Sequence, residues 1–217
     1  MDTIARLFLT VSLVLGCACL VGCDLLDRSS WRVVSAPTPL DWPELTPVGT
    51  IEVKDYPVYR AAIVENATLG EEGMEPMFME LFRHIERNDI SMTAPVEMEY
   101  DAPRGEAPTM TTMAFLYRRP DLGRAGEEGA VEVRDLEQQT FVSLGVRGAY
   151  TVKTFQRGLK QLDRWIENNR GSWQIAGPPR FLGYNGPVVP KWWRYGEVQV
   201  PVRAVQPFAR QPESEDR

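Results

Sequence analysis

The chain has a single histidine, His84, and this limits the chemistry that the sequence can support. An imidazole can act as a general base or bind a metal ion. A hydrolytic triad is hard to assemble around it, because the chain has no Gly-x-Ser-x-Gly elbow and no cysteine outside residues 17–23. No glycine-rich phosphate loop or Rossmann fingerprint is present either. We therefore expect a binding protein and not an enzyme.

Methionine and aromatic residues form a second set of candidate ligand contacts. Five methionines cluster near the centre of the chain: Met74, Met77, Met79, Met92 and Met98. Thioethers adapt to flat apolar ligands, although they fill protein cores equally well. Near the C-terminus, Trp192, Trp193 and Tyr195 are able to stack on a planar ligand or to close one end of a barrel.

A helix, a tight turn and a strand must position most of these residues. The helix is predicted from apolar side chains at offsets of three and four: Met74, Met77, Phe78, Leu81, Phe82 and Ile85. Asn88 and Asp89 favour a turn and end it. Pro95 makes Ala94 extended, and the alternation after it predicts a strand over residues 96–100.

An internal repeat organises the elements around this unit. Residues 49–55 (GTIEVKD) return as residues 129–135 (GAVEVRD), and each copy is followed by a second strand and an amphipathic helix. The sequence therefore predicts an α+β fold of two β-β-α-β-type pseudo-repeats. One repeat cannot cover its own apolar faces, so the two should combine into one antiparallel sheet or distorted barrel flanked by two long helices. We assign this domain to residues 48–205.

Composition excludes some functions. The 217 residues carry a formal net charge of −6, which argues against a nucleic-acid partner because such proteins need a basic face. The hydrophobic share of 43% is ordinary for a globular protein with one core. We expect a monomer whose partner is a small molecule.

All three cysteines, Cys17, Cys19 and Cys23, lie in an apolar leader. Residues 1–22 have the pattern of a signal peptide and are short for a membrane span. Residues 20–23 (LVGC) resemble a bacterial lipobox, which implies lipid attachment at Cys23 and a membrane-anchored protein of the cell envelope, outside the cytoplasm. An ordinary signal peptide and an uncleaved anchor are the alternatives.

Two segments flank the predicted domain. Residues 23–47 carry four prolines and no periodicity, which indicates a tether. The alternative is that part of this segment packs on the domain through Trp31 or Trp42. The polar residues 206–217 predict a disordered tail.

Three motifs, in order, resemble the SOUL heme-binding family. The first is the hairpin of residues 51–57 (IEVKDYP), and the second is the stretch at residues 88–96 (NDISMTAPV), similar to the family's Asn-spacer-Met-Thr-Ala-Pro-Val. The third, residues 184–198, resembles its Tyr-x-x-Pro and Arg-x-Asn-Glu-Val. The resemblance implies an eight-stranded antiparallel barrel with two helices. It also implies that heme or a related tetrapyrrole binds in a shallow hydrophobic groove beside the first helix.

The resemblance also suggests site residues. Arg83 matches a basic family position, and together with Lys191 it would meet the propionates, while Met77 and Trp192 would contact the ring. His84 is the candidate axial ligand, although its place beside the apolar stripe predicts that it faces solvent or the groove edge. Asp55 stands where some members have a histidine, which weakens the case for histidine-ligated heme.

Two other functions remain open at the sequence level. SOUL domains look like the effector-binding domains of bacterial drug-responsive regulators, so the chain could be a stand-alone domain for apolar or cationic molecules, or a hydrolase of that fold. The third alternative is an envelope module that binds another protein. Buried acids in the groove would favour a cation, basic residues at its rim would favour propionates, and a flat apolar patch would favour a protein partner.

Overall fold

The computed structural model describes residues 34–66, 73–103 and 106–205. The predicted leader, the Cys23 site and the tail at residues 206–217 lie outside these ranges. The described residues form two helices and ten strands, in the order β1 (Ile51–Tyr56), β2 (Tyr59–Glu65), α1 (Met74–Arg87), β3 (Val96–Asp101), β4 (Thr109–Leu116), β5 (Gly126–Glu128), β6 (Val131–Leu136), β7 (Gln139–Arg147), α2 (Val152–Asn168), β8 (Trp173–Ile175), β9 (Arg180–Gly183) and β10 (Tyr195–Ala204). Neither helix in these ranges is long and apolar enough to cross a membrane.

The strands form one sheet in the order β1-β7-β10-β9-β3-β4-β2-β6-β5, with β8 paired to β10. Every strand pair is antiparallel, so the predicted α+β class with an antiparallel sheet and two helices is confirmed. The sheet is open, because β1 and β5 each have a single partner and form its edges. Three short strands, β5, β8 and β9, were not predicted from the sequence.

Helix α1 has the bounds that its apolar pattern predicts. It begins after Gly73 and ends at Asn88, whose backbone N–H donates to the carbonyls of His84 and Glu86. Asp89 follows with a φ of 54°, which an aspartate tolerates better than most residues. The side buried against β2, β4 and β6 consists of Met77, Leu81, His84 and Ile85.

Helix α2 packs against β7, β8 and β10. Its N-terminus is capped by Thr151, whose hydroxyl accepts a hydrogen bond from the N–H of Thr154 at 3.2 Å. A Cβ atom at Gly158 would lie 2.6 Å from Cγ2 of Val198, so glycine lets the helix approach β10 closely. Phe155, Leu162 and Ile166 fill the rest of this contact.

Side chains alternate between the two faces of the sheet, as strand geometry requires. We call the side that packs on α1 and α2 the helix face and the opposite side the far face. In β10, Val198, Val200 and Val202 belong to the main core under the helices. Glu197 and Gln199 point to the far face and are nonetheless completely buried.

Residues 34–48 cover part of the far face. The Trp42 ring packs edge-on against Tyr56 and Tyr59, with ring centroids 4.7 and 5.3 Å apart. Its Nε1–H donates to the hydroxyl of Tyr184 at 3.1 Å, and the backbone N–H of Thr46 donates to Glu197 at 2.7 Å. The tether predicted for residues 23–47 therefore does not include residues 34–47, since buried apolar and hydrogen-bonding groups hold this part on the sheet.

Candidate functional site

An apolar cavity of about 580 Å³ lies on the helix face beside α1. Its volume falls within the range of small-molecule sites. The lining combines α1, the strands β3, β4 and β9, the loop that joins β9 to β10, and parts of three other segments: residues 35–36, the turn before β3 and the loop before α2. These residues are Ser35, Ala36, Met74, Glu75, Phe78, Met79, Phe82, Met92, Thr93, Ala94, Val96, Met98, Met113, Tyr150, Gly183, Tyr184, Asn185, Gly186, Pro187 and Arg194.

Two phenylalanines of α1 form one wall of this cavity. Phe78 and Phe82 stack nearly parallel, with centroids 6.3 Å apart and an interplanar angle of 11°. Phe78 also meets the Phe115 ring edge-on at 5.0 Å, which fixes its orientation against the sheet. The offset of four residues places Met74, Phe78 and Phe82 on one stripe, next to the stripe that is buried in the core.

Tyr150 and Gly183 shape the wall opposite α1. A Cβ atom at Gly183 would lie 2.8 Å from the Tyr150 ring, so glycine allows the ring to lie against the strand. The Tyr150 hydroxyl donates to the carbonyl of Tyr195 at 2.6 Å and accepts from the N–H of Asn185 at 2.8 Å. Burial raises the pKa of Tyr150 to about 12, so this hydroxyl stays neutral at physiological pH.

The cavity lining contains one cation, Arg194, and one carboxylate, Glu75. The Nε and Nη2 groups of Arg194 donate to the carbonyls of Val189 and Pro187 at 2.9 and 3.1 Å. Its guanidinium carbon lies 5.7 Å from the centre of the Tyr150 ring. These hydrogen bonds go to backbone carbonyls, and none of the ion pairs within the described residues involves Arg194, so its positive charge is available at the cavity edge.

A second pocket, of about 310 Å³, lies on the far face. It is polar and acidic, and its lining includes Tyr59, Glu97, Glu99, Glu137, Phe141, Ala176 and Arg180. Burial, followed by the nearby charge of Glu97, raises the pKa of Glu99. Three carboxylates against one arginine give the pocket a negative field.

Arg180 forms the floor of this acidic pocket. Its guanidinium carbon lies 3.6 Å from the centre of the Phe141 ring, and Nη1 donates to Glu97 at 2.9 Å and to the Tyr59 hydroxyl at 2.7 Å. Nε donates to the Gln199 side chain at 2.8 Å. Nη2 is the one buried side-chain nitrogen or oxygen without a hydrogen-bond partner among the residues that the structure describes.

A comparison with models of protein families shows to which family this chain belongs. A sequence model described as SOUL heme-binding protein matches residues 41–201, which contain both helices and almost all of the cavity lining. The chain belongs to the SOUL heme-binding protein family. No curated protein sequence matches this SOUL-family chain significantly.

Several solved structures share the fold of this SOUL protein at low sequence identity. The C-terminal domain of EcmrR is 16% identical with a TM-score of 0.52, and the match covers 72% of this chain and 98% of that domain. In the EcmrR–DNA complex the identity is 18% and the TM-score 0.52, and the match covers 72% of this chain but only 58% of the longer EcmrR chain. A hydrolase from Listeria innocua is 11% identical with a TM-score of 0.53, over 73% of this chain and 94% of that one. At these identities the likeness concerns the fold alone.

The environment of His84 in this SOUL domain differs from the prediction. The residue was expected to face solvent or the edge of a groove, but it is only 2% exposed and lies on the core side of α1. Its Nε2 is 2.9 Å from the Tyr117 hydroxyl, and its Nδ1 is 3.2 Å from Glu128. The prediction was wrong because these two polar partners, supplied by β5 and by the end of β4, satisfy an imidazole in the core.

The other residues predicted to bind the ligand lie outside the cavity lining. Met77 is completely buried in the core, and Arg83 is largely exposed and paired with Glu80 at 3.4 Å. Lys191 is exposed, as is Trp192 at 71%. The groove itself is where the family resemblance implied, beside the first helix, but neighbouring residues line it.

Arg194 is the positively charged lining residue, and the sequence analysis did not single it out. Arg194 belongs to the motif of residues 194–198 that resembles the family pattern, so the sequence did contain information that pointed to this residue. Lys191 lies three residues earlier, and the sequence analysis assigned the contact with the propionates to it instead. The described residues contain no group of three or more His, Cys, Asp or Glu side chains arranged to hold a metal ion.

Proposed function

We propose that this SOUL protein binds a tetrapyrrole, heme or a close relative, in the apolar cavity beside α1. The observation that carries the proposal is the combination of a large apolar cavity with one cation at its edge, in a chain of the SOUL heme-binding family. A porphyrin has the matching chemistry, because its ring is flat and apolar while its propionates are anionic. Binding, transport and buffering are all compatible with such a site.

The ring would be held mainly by burial of apolar surface. Phe78, Phe82 and five methionines line the cavity, and each 100 Å² of apolar area removed from water contributes about 2.5 kcal/mol. Methionine side chains adapt to a flat ligand without a fixed shape. The cavity therefore favours the macrocycle itself more than any particular metal.

Arg194 is the residue that we assign to a propionate. It is half-buried at the cavity edge, where a charge-assisted hydrogen bond to a carboxylate is stronger than at a fully exposed site. Arg83 and Lys191, which the sequence suggested for this role, are not among the residues that line the cavity. They remain candidates only for long-range attraction of an anionic ligand.

The cavity does not offer an imidazole to a bound iron. His84 is absent from its lining, and both ring nitrogens of His84 already have partners. The thioethers are the remaining lining groups of a kind that binds heme iron, because the Tyr150 and Tyr184 hydroxyls also have hydrogen-bond partners. We therefore infer that hemin and metal-free protoporphyrin bind with similar affinity.

The proposal is of a binding protein, not of an enzyme. It is supported by the lining, which holds one carboxylate and no histidine or cysteine among the described residues. A nucleophile and its base within hydrogen-bond reach of each other would be needed for covalent catalysis. Among the described residues that line the cavity, no such pair is present.

We also propose that the two halves of the chain are equivalent units. The strand order supports this, since β1 of the first half pairs with β7, and the matching strand β6 pairs with β2. When the edge strand β5 is left out, the order runs through corresponding strands from either end, with β3 and β9 meeting at the centre. The family implies a barrel. We include in the same proposal that the open sheet closes further toward this shape.

For the location we propose attachment to a membrane of the cell envelope through lipid on Cys23, followed by a short tether. The support is the leader pattern of residues 1–22 and the LVGC stretch. Cys23→Ser should move the full chain from the membrane fraction to the soluble extract. Mass spectrometry that finds an unmodified N-terminus at another residue would refute the assignment.

A second candidate function rests on the acidic pocket of the far face. Glu97, Glu99 and Glu137 beside aromatic rings favour a small organic cation. Calorimetric titration of the full chain with benzyltrimethylammonium tests this function. Affinity should rise with pH as Glu99 ionises, and Ala176→Trp, which fills the pocket, should abolish it. No heat of binding from the wild-type protein would exclude the candidate.

Absorbance titration tests the leading function. The full chain in lipid nanodiscs is titrated with hemin, with empty nanodiscs as the blank, and the Soret band is followed. We expect saturation at one hemin per chain, and we expect metal-free protoporphyrin to compete with an affinity within about threefold. A hemin affinity no greater than that of the empty nanodiscs would reject the proposal.

A further inference from the structure

The loop between β9 and β10 presents an unusual apolar surface. We call residues 187–193 the tryptophan turn. Within it Val188 is 94% exposed, Trp192 71% and Trp193 49%. Large apolar side chains grouped at the surface usually mark a contact with another molecule or with a membrane.

The tryptophan turn is held rigidly although it is exposed. The N–H of Val189 donates to the carbonyl of Gly186 at 3.2 Å, and the N–H of Trp193 donates to Pro190 at 2.8 Å. The carbonyl of Trp193 accepts from Nη1 of Arg147 at 2.8 Å, and Arg194 donates to the carbonyls of Pro187 and Val189. These backbone groups therefore need little water, which allows the turn to enter an apolar medium.

The stretch of sequence that contains the turn has a positive charge balance, opposite to that of the whole chain. Residues 168–196 contain no Asp or Glu, whereas the chain has a formal net charge of −6. Lys191 is exposed within the turn, and Arg147 and Arg194 bind its backbone. Tryptophan with lysine or arginine is the combination that anchors proteins at the boundary between lipid headgroups and acyl chains.

We propose that the tryptophan turn docks into the surface of an anionic lipid bilayer. Trp192, Trp193 and Val188 enter the headgroup boundary, and Lys191 contacts anionic headgroups. The occupant is a membrane and not a protein, because the turn combines amphipathic tryptophans with the exposed Lys191, in a stretch of sequence that holds no Asp or Glu.

Docking would place the cavity at the membrane. Pro187, the first residue of the turn, and Arg194, the residue that follows it, both line the apolar cavity beside α1. A ligand that partitions into lipid could then enter the cavity without crossing water. This last consequence rests on the proposed function, whereas docking itself does not.

Tryptophan quenching by brominated lipid tests the proposal. The full chain is reconstituted into vesicles of three parts phosphatidylcholine and one part phosphatidylglycerol, and bromine is placed near the headgroup end of the acyl chains. All variants carry Trp31→Phe, because Trp31 lies eight residues after Cys23 and would report on any anchor there. We expect Trp192→Ala/Trp193→Ala to lose at least half of the quenching.

Two further variants serve as controls. Trp165→Ala/Trp173→Ala, which removes two half-buried tryptophans elsewhere, should keep the quenching. Lys191→Glu should reduce it about twofold in anionic vesicles and leave it unchanged in vesicles of phosphatidylcholine alone.

Quenching that survives the loss of Trp192 and Trp193 would overturn docking. So would cross-linking between copies of the chain that disappears in the Trp192→Ala/Trp193→Ala variant, since it would assign the turn to self-association. No arm contains hemin, so failure here leaves the ligand proposal untouched.

Discussion

The Nε2 atom of His84 lies 2.9 Å from the hydroxyl oxygen of Tyr117, within the core between α1 and the end of β4. On its other side, Nδ1 lies near Glu128 and the Asn88 amide, at 3.2 and 3.4 Å. Both ring nitrogens of the chain's single histidine are therefore engaged in the fold. We therefore expect His84 to affect the stability of the fold and not ligand binding.

The first prediction concerns His84→Ala. Removing a buried side chain and its two polar contacts should lower the free energy of unfolding by about 2–3 kcal/mol. Hemin affinity should stay within twofold of the wild type, because the residue does not line the cavity. Denaturant unfolding and Soret titration measure the two effects.

Arg83→Ala, a substitution of the exposed neighbour of His84, is the control and should change stability by less than about 0.5 kcal/mol. Loss of the Soret shift in folded His84→Ala would instead make His84 the axial ligand.

The second prediction follows from the pKa of His84. Burial lowers it below 6.5, against a weaker opposite effect of Glu128. Between the folded pKa and about 6.5, the unfolded chain takes up a proton that the folded chain does not. Stability should therefore be complete above about pH 6.5 and should decrease as the pH falls through this window, by up to about 1.4 kcal/mol per pH unit.

His84→Gln is the control for this pH dependence. The variant has no histidine, so the difference in unfolding free energy between it and the wild type should shrink with falling pH from 7.5 to 5. Other titrating groups contribute equally to both proteins and cancel in the difference. A difference that is constant over this range would show that His84 is not held neutral by burial.

Helix α1 illustrates what its sequence could and could not predict. The offsets of three and four gave its bounds correctly, because they depend only on helical geometry. The predicted direction of the His84 side chain was wrong, because the helix carries two adjacent apolar stripes. Met77, Leu81 and Ile85 face the core, whereas Met74, Phe78 and Phe82 face the cavity. Which stripe is buried depends on the strands that pack beside it, and these are remote in sequence.

The third prediction compares two arginines. Arg194→Gln should weaken hemin binding about fivefold, the equivalent of about 1 kcal/mol for a half-buried ion pair. Arg194→Lys should retain most of the affinity, because it keeps the charge that the propionate meets. Arg83→Gln, a matched loss of charge on the nearby surface, should change the affinity by less than twofold. Equal effects of Arg83→Gln and Arg194→Gln would mean that only the overall charge matters.

The fourth prediction concerns the buried pair on the far face. Arg180→Met leaves the Glu97 carboxylate buried with only the Tyr59 hydroxyl as a partner, so it should cost about 3–5 kcal/mol of stability. Adding Glu97→Gln removes the unpaired charge and should restore at least about 1 kcal/mol. The cycle of both single variants and the double variant, measured by denaturant unfolding, gives this coupling. Strictly additive losses would contradict it.

Parts of the site were beyond sequence reasoning for physical reasons. Strand β9 (Arg180–Gly183) is short and starts with a buried arginine, which no alternation rule places inside a protein. Its burial depends on partners that are remote in sequence, among them Glu97, 83 positions earlier in the chain. The packing of residues 34–48 likewise depends on Trp42 meeting Tyr184, 142 positions away. The motifs around Pro95 and Arg194 did predict the family, which the family model confirms.

The central claim is that the tetrapyrrole occupies the cavity beside α1, and two tryptophan substitutions test it most directly. Ala36→Trp places a large side chain in this cavity, and Ala176→Trp places the same side chain in the acidic pocket of the far face. Each full-length variant is titrated with hemin in nanodiscs by the Soret band. We predict that Ala36→Trp weakens hemin binding at least tenfold with its unfolding transition retained, and that Ala176→Trp binds as the wild type does. Unchanged binding by Ala36→Trp, or loss confined to Ala176→Trp, would contradict the assignment of the cavity.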